Sequence, residues 1–303
     1  MAYQVIGGGD VTIVSVPPMA QNIEMAWEWP AIRRMFECLG SFCRFVAFDK
    51  RGTGMSNRSL DIPRLDERVD EVSAVLDHAG INQAYAMGTS KGGPMALMFA
   101  ATYPDRVLGV ILESSSAWLA PKADVERVAF WEQFVAGWGT PDSVIVDLFA
   151  PSLAGDEEFR RWRRRYERNA ASPDAIGALL DLAGDMDARG VLHQIDCPVL
   201  ILHRAGDRVV PVDRARETCD LLGSHGVDVE LVEHRGEDHF LYAADLPAAL
   251  GAIERFTTGT VRHRATTWAT DRAEIVTLDA STSSSPERPS RRRHGDRGGL
   301  ARY

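Results

Sequence analysis

The sequence predicts an α/β protein: a mostly parallel sheet with helices on both faces and one helical insertion. Three observations carry this. Strand-like runs alternate with helical ones along the chain. Several strand runs are apolar without interruption, as strands buried on both sides are. And Gly88-Thr89-Ser90-Lys91-Gly92, a G-x-S-x-G pattern, sits between an apolar run and a helical one.

In order, residues 11–16 form a β-branched strand stopped by Pro17-Pro18. A helical stretch spans 29–39. Residues 42–48 form a second strand, ended by the turn Asp49-Lys50-Arg51-Gly52-Thr53-Gly54. Val69, Val72 and Leu76 lie at helix spacing within 66–78, and Gly80 stands just past its end. A strand over 84–87 and a helix over 92–103 follow. Residues 107–112, 198–203 and 227–232 are further strands, and a last helix covers about 246–256.

Residues 117–190 break the alternation. They contain no strand-like run but four tryptophans, Trp118, Trp131, Trp138 and Trp162. They are expected to form a helical cap over the C-terminal edge of the sheet, where such folds bind ligands. The core is then 1–116 and 191–258. Residues 259–303 read as a disordered Arg- and Ser-rich tail. Within it, 281–299 hold no large apolar residue and cannot offset the entropy of ordering. Deleting 262–303 is expected to leave folding and activity intact.

Chemistry centres on Ser90. A strand turning sharply into a helix needs glycine on both sides of the turning residue, and it leaves that side chain exposed above a helix N-terminus. A serine hydroxyl also needs a base, and the base a carboxylate to fix its tautomer. His239, on the segment after strand 227–232, fits the first role, with His234 as a rival nearer the strand end. Asp207, just beyond strand 198–203, fits the second. Singly, each has a plain reading: Ser90 a helix cap, Asp207 an Asx-turn, His239 a surface residue. All three at the ends of three strands, in the order Ser90, Asp207, His239, favour a triad. The backbone N–H of Lys91 is one candidate oxyanion donor. That of Met19 is the other, since Pro17 and Pro18 have none.

The 303-residue chain carries a net charge of −9, which argues against a nucleic-acid-binding body. The tail is the exception, with nine arginines against five acids over 260–303. No apolar run approaches the ~20 residues of a membrane helix, and the N-terminus lacks the basic-then-apolar form of a secretory leader. Cys38, Cys43, Cys197 and Cys219 form no C-x-x-C pair and read as reduced thiols of a cytoplasmic protein. No cofactor and no metal site is implied.

Together these residues resemble the α/β-hydrolase family over about 3–258. The stretch Asp49-Lys50-Arg51-Gly52-Thr53-Gly54-Met55-Ser56 looks like its D-x-R-G-x-G-x-S turn. Phe48–Gly54, Gly92–Leu97 and His203–Pro211 are similar to a bacterial subgroup whose domain occurs alone or ahead of a class III nucleotide cyclase; residues 260–303 resemble no cyclase. The resemblance implies an eight-stranded, mostly parallel sheet, a helical cap, and a cofactor-free serine–histidine–aspartate hydrolase. The chain departs from the family in three ways. Pro17-Pro18 stand where it has His-Gly, the first family strand is short or missing, and Lys91 replaces a more often acidic residue.

The expected activity is hydrolysis of carboxylic esters or related acyl bonds of a small molecule. Thioester, lactone, C–C and peptide substrates, perhydrolysis, and a non-catalytic sensor module stay open. Trp118, Trp131 and Trp138 are candidate pocket residues for an apolar or aromatic group. The run Arg160–Arg165 with Arg168 reads as a solvated helix face or as a site for an anionic substrate part. The oligomeric state is open, homodimer included.

Overall fold

The computed structural model describes residues 1–58, 65–118, 125–183, 186–243, 246–261 and 275–277. Its strands are β1 (Ala2–Ile6), β2 (Thr12–Val16), β3 (Arg44–Asp49), β4 (Ala84–Thr89), β5 (Val107–Glu113), β6 (Val199–Arg204), β7 (Val229–His234) and β8 (Ile275–Thr277). They form one sheet in the order β7-β6-β5-β4-β2-β3-β1-β8. All pairs from β7 to β3 are parallel; β1 runs antiparallel to both β3 and β8.

Side chains alternate across the sheet, as the two-residue period of a strand requires. Val110 and Leu112 of β5 face one side and Ile111 the other. The first side is covered by α2 (Leu65–His78), α3 (Gly92–Thr102) and α8 (Val212–Ser224), through residues such as Val72, Leu76, Leu97 and Ala215. The second is covered by α1 (Pro30–Phe42) and α9 (Leu246–Thr258), through Ile32, Leu39 and Ile253. Coverage of both faces explains why the strand runs read as apolar throughout.

Between β5 and β6 lie α4 (Val125–Gly137), α5 (Ile145–Phe149), α6 (Glu157–Ala170) and α7 (Pro173–Ala183). Among the described residues of this insertion the one β-contact is an isolated bridge, Trp118 to Asp187. Helix α6 starts at Asp156, whose carboxylate accepts from the N–H groups of Glu158 and Phe159. Its apolar face, Phe159, Trp162 and Tyr166, turns inward against Trp29 and the sheet-side cluster.

Two expectations need correction. Ile275–Thr277, inside the stretch expected to be wholly disordered, pair with Gln4, Tyr3 and Ala2. A three-residue edge strand carries too little apolar surface to stand out in a polar sequence; its template is the free edge of β1. The edge where the family resemblance left a strand short or missing is thus occupied. The segment 281–299 lies outside the described residues. The Arg160–Arg168 run is also not simply a solvated face. Arg160 pairs with Asp147, Arg165 with Glu28, Arg168 donates to the Gly139 carbonyl, and Arg163 is buried.

Candidate active site

The turn between β4 and α3 has little room. A Cβ on Gly88 would lie 2.6 Å from the Gly92 carbonyl oxygen, and one on Gly92 would lie 2.2 Å from that of Val16. Both positions therefore require glycine. Ser90 between them takes φ 51°, the left-handed region that a side chain enters only under constraint. Its N–H donates to the Glu113 carbonyl at 2.9 Å, and its carbonyl accepts from the Ser115 hydroxyl. The end of β5 and Ser115 just beyond it thus hold the strained residue by its backbone.

Beyond β6 the chain turns at Asp207. One carboxylate oxygen, Oδ1, accepts from the N–H groups of Val209 (2.8 Å) and Val210 (3.1 Å). The other, Oδ2, accepts from His239 Nδ1 at 2.7 Å. That bond makes Nε2 the acceptor of the ring, and Ser90 Oγ lies 2.8 Å from it. The structure therefore joins Ser90, His239 and Asp207 in one hydrogen-bonded chain, all three buried. His234, the rival base, is the last residue of β7. Burial alone would raise the Asp207 carboxyl. The adjacent imidazole, its hydrogen bond and the Val210 N–H outweigh burial and hold it below the usual carboxylate range.

Sequence reasoning missed several residues around this site. Arg204, buried at the end of β6, donates to the carbonyls of Asp238 (2.9 Å), Phe240 (3.0 Å) and Leu241 (3.0 Å). It therefore grips the segment that carries His239 on both sides of the histidine. Phe149 of α5 accepts from the His239 N–H at 2.8 Å, and its ring meets the imidazole edge-on at 5.1 Å. Glu113, the last residue of β5, lines the cavity at Ser90; burial raises its carboxyl above the ordinary value. An acid closing an apolar strand run was the available signal for it.

A cavity of about 160 Å³ opens at Ser90. Met19, Lys91 and His239 line it beside the serine. Its walls are apolar: Ile32, Phe36 and Leu39 from α1, and Trp131, Trp138, Ile145 and Phe149 from the insertion. Arg163 and Tyr166 of α6 add polar groups, the guanidinium resting 4.7 Å above the Phe240 ring. Trp131 and Trp138 thus reach the cavity, but Trp118 does not. It lies between the guanidinium groups of Arg214 and Arg189, at 4.0 and 4.6 Å, with Glu217 accepting from its indole. The flanking arginines, distant in sequence, hold it away from the pocket. The Lys91 ammonium lies 5.2 Å from the centroid of the Trp131 ring, so it meets the insertion.

A mostly parallel eight-stranded sheet with a serine at a strand–helix elbow defines an α/β-hydrolase. The chain belongs to the family described as serine aminopeptidase, S33, whose profile matches residues 43–240. It is similar to a bifunctional esterase/perhydrolase of Acinetobacter calcoaceticus, 28% identical over 229 residues, covering 70% of this chain and 80% of that one. It is also similar to a 3-oxoadipate enol-lactonase of Acinetobacter baylyi, 26% identical over 192 residues, covering 62% and 71%. Among solved structures, the enol-lactonase from Burkholderia xenovorans LB400 superposes with a TM-score of 0.70 at 18% identity, covering 84% of this chain and 95% of that one. An esterase from Exiguobacterium antarcticum gives 0.68 at 19% identity, covering 84% and 94%. The fold and family make the chain a hydrolase. No helix among the described residues is long and apolar enough to cross a membrane.

Proposed function

We propose that the chain hydrolyses carboxylic esters or lactones of small, largely apolar acids through an acyl-enzyme. Ser90 Oγ attacks the carbonyl carbon while His239 Nε2 takes its proton; Asp207 stabilises the imidazolium that forms. The carbonyl oxygen becomes an oxyanion held by the backbone N–H groups of Lys91 and Met19. His239 then gives its proton to the departing alkoxide. Water enters and adds to the acyl carbon as His239 accepts its proton; the bond from the acyl carbon to Ser90 Oγ then breaks, His239 returns the proton to Oγ, and the acid is released.

The observation that carries this reading is the chain of contacts Ser90–His239–Asp207, at 2.8 and 2.7 Å. The cavity supports the substrate class: Trp131, Trp138 and the α1 side chains offer an apolar acyl site. The insertion would act as a lid over it. The esterase and enol-lactonase relatives support an ester or lactone substrate.

The test compares the parent protein with Ser90→Ala on p-nitrophenyl esters from acetate to octanoate and with a fluorophosphonate probe. Turnover and labelling are expected in the parent alone, with a chain-length optimum that reports pocket depth. Turnover that survives in Ser90→Ala, or a parent that neither turns over nor labels, would overturn the reading.

A further inference from the structure

The end of β3 and the first residue after it lie against the segment that follows β2 and hold it at three points. The Asp49 carboxylate accepts from the Ile23 N–H at 3.2 Å. The Phe48 carbonyl accepts from the Gln21 side chain at 2.7 Å. The Lys50 amine donates to the carbonyls of Pro17, at 3.5 Å, and Pro18. On its other side the segment rests on the first turn of α3, where the Pro17 carbonyl oxygen lies 2.8 Å from the Cβ that Gly92 would carry. The loop is thus held between the nucleophile's helix and Lys50.

Lys50 is 2% exposed. A lysine buried that deeply needs a reason, because its head group loses its hydration. Burial, reinforced by the nearby cation of Arg68, drives the amine toward its neutral form. Its Nζ–H groups face two proline carbonyls, those of Pro17 and Pro18. Two successive prolines offer no N–H of their own, so the loop can be anchored there only through its carbonyls. The next residue, Met19, has the first backbone N–H after the anchor and lines the cavity at Ser90.

We propose that Lys50 is the positioning residue of the oxyanion loop: by holding the Pro17 and Pro18 carbonyls it aims the Met19 N–H at the developing oxyanion. The D-K-R-G-T-G turn then has a task in the reaction as well as in the fold. Pro17-Pro18, where the resembled family has His-Gly, become a loop made rigid from outside. This inference rests on Ser90 being the nucleophile.

The test uses the full chain with Lys50→Met, Lys50→Gln and Ser90→Ala. The readouts are p-nitrophenyl butyrate hydrolysis, inhibition by phenylboronic acid, which becomes tetrahedral and anionic on a serine oxygen, and thermal unfolding. A donor displaced by ~1 Å costs about 10²-fold in rate. Lys50→Met is therefore expected to lower kcat about 10²-fold, to leave KM within about twofold, and to weaken phenylboronic acid by the same factor as kcat. Lys50→Gln, which keeps two N–H donors on a shorter arm, should recover part of both losses. Unchanged kcat and boronate affinity in Lys50→Met would overturn the proposal. So would a rise in KM alone, or failure of both Lys50 variants to fold. Turnover persisting in Ser90→Ala would instead remove the reading of the nucleophile, so the two failures are distinguishable.

Discussion

His239 and Phe149 meet twice. The backbone N–H of His239 donates to the Phe149 carbonyl, and the two rings pack at 88° with centroids 5.1 Å apart. The histidine comes from the sheet's last connection and the phenylalanine from the insertion. The orientation of the imidazole therefore depends on how the insertion sits over the sheet.

Phe149→Ala should show that dependence. The backbone bond survives, but the edge-on packing is lost and a void opens beside the imidazole. The expected cost is about 3 kcal/mol of stability, with a fall in kcat larger than any change in KM. Phe149→Leu should recover most of the stability and little of kcat. Thermal melts and steady-state kinetics on p-nitrophenyl butyrate check both. Unaltered kcat in a folded Phe149→Ala would separate the insertion from the chemistry.

Arg204 is a second hold on the same segment. Removing its guanidinium leaves three carbonyls, two of them in buried bonds, without their donor, so Arg204→Met should cost about 3 kcal/mol. Activity should fall with it as the histidine loosens. Arg204→Lys should recover only a fraction, because one ammonium cannot span three carbonyls as the planar guanidinium does. Denaturant unfolding of the three proteins, read beside kcat, tests this.

Asp207→Asn keeps the shape of the acid and loses its charge. Asn can present an N–H to His239 Nδ1 and favour the wrong tautomer, so kcat should drop by about 10⁴-fold. The substitution also predicts a pH effect on stability. The native Asp207 carboxyl is held below its ordinary value, so its contribution is present above an unfolded pKa of about 3.9 and disappears as pH falls through the folded value. The stability gap between parent and Asp207→Asn should therefore narrow on acidification below about pH 4. A gap independent of pH would contradict it.

Asp49 should act in the opposite direction. Burial raises its carboxyl to about 7, against the N–H bonds from Met55 and Ile23. A folded value above the unfolded one means that the group favours folding at low pH. That advantage is lost between about pH 4 and the folded value near 7. Over that window the parent's melting temperature should fall with rising pH more steeply than that of Asp49→Asn. Parallel profiles would show that Asp49 is ionised throughout.

Much of this was readable in the sequence because its signals are local. Gly88, Ser90 and Gly92 announce a strand–helix elbow whatever surrounds them, and apolar strand runs report burial on two faces. Asp207 and His239 were placed by strand ends and chain order. What escaped depends on partners far along the chain. Arg204 is one arginine among many until its three carbonyls are known. Lys50 sits in a recognisable turn, but its task depends on Pro17 and Pro18 more than thirty residues away. Trp118 failed as a pocket residue because Arg189 and Arg214 claim both sides of its ring. Nothing in its own neighbourhood distinguishes it from Trp131.

The pairing of Ile275–Thr277 with Ala2–Gln4 reaches beyond architecture. An uncovered border strand offers amide and carbonyl groups to any extended chain that drifts past, and self-association begins at such borders. The short C-terminal strand blocks that seam on one flank. A protein shortened before residue 275 could keep its chemistry and still become sticky, clumping as its concentration rises.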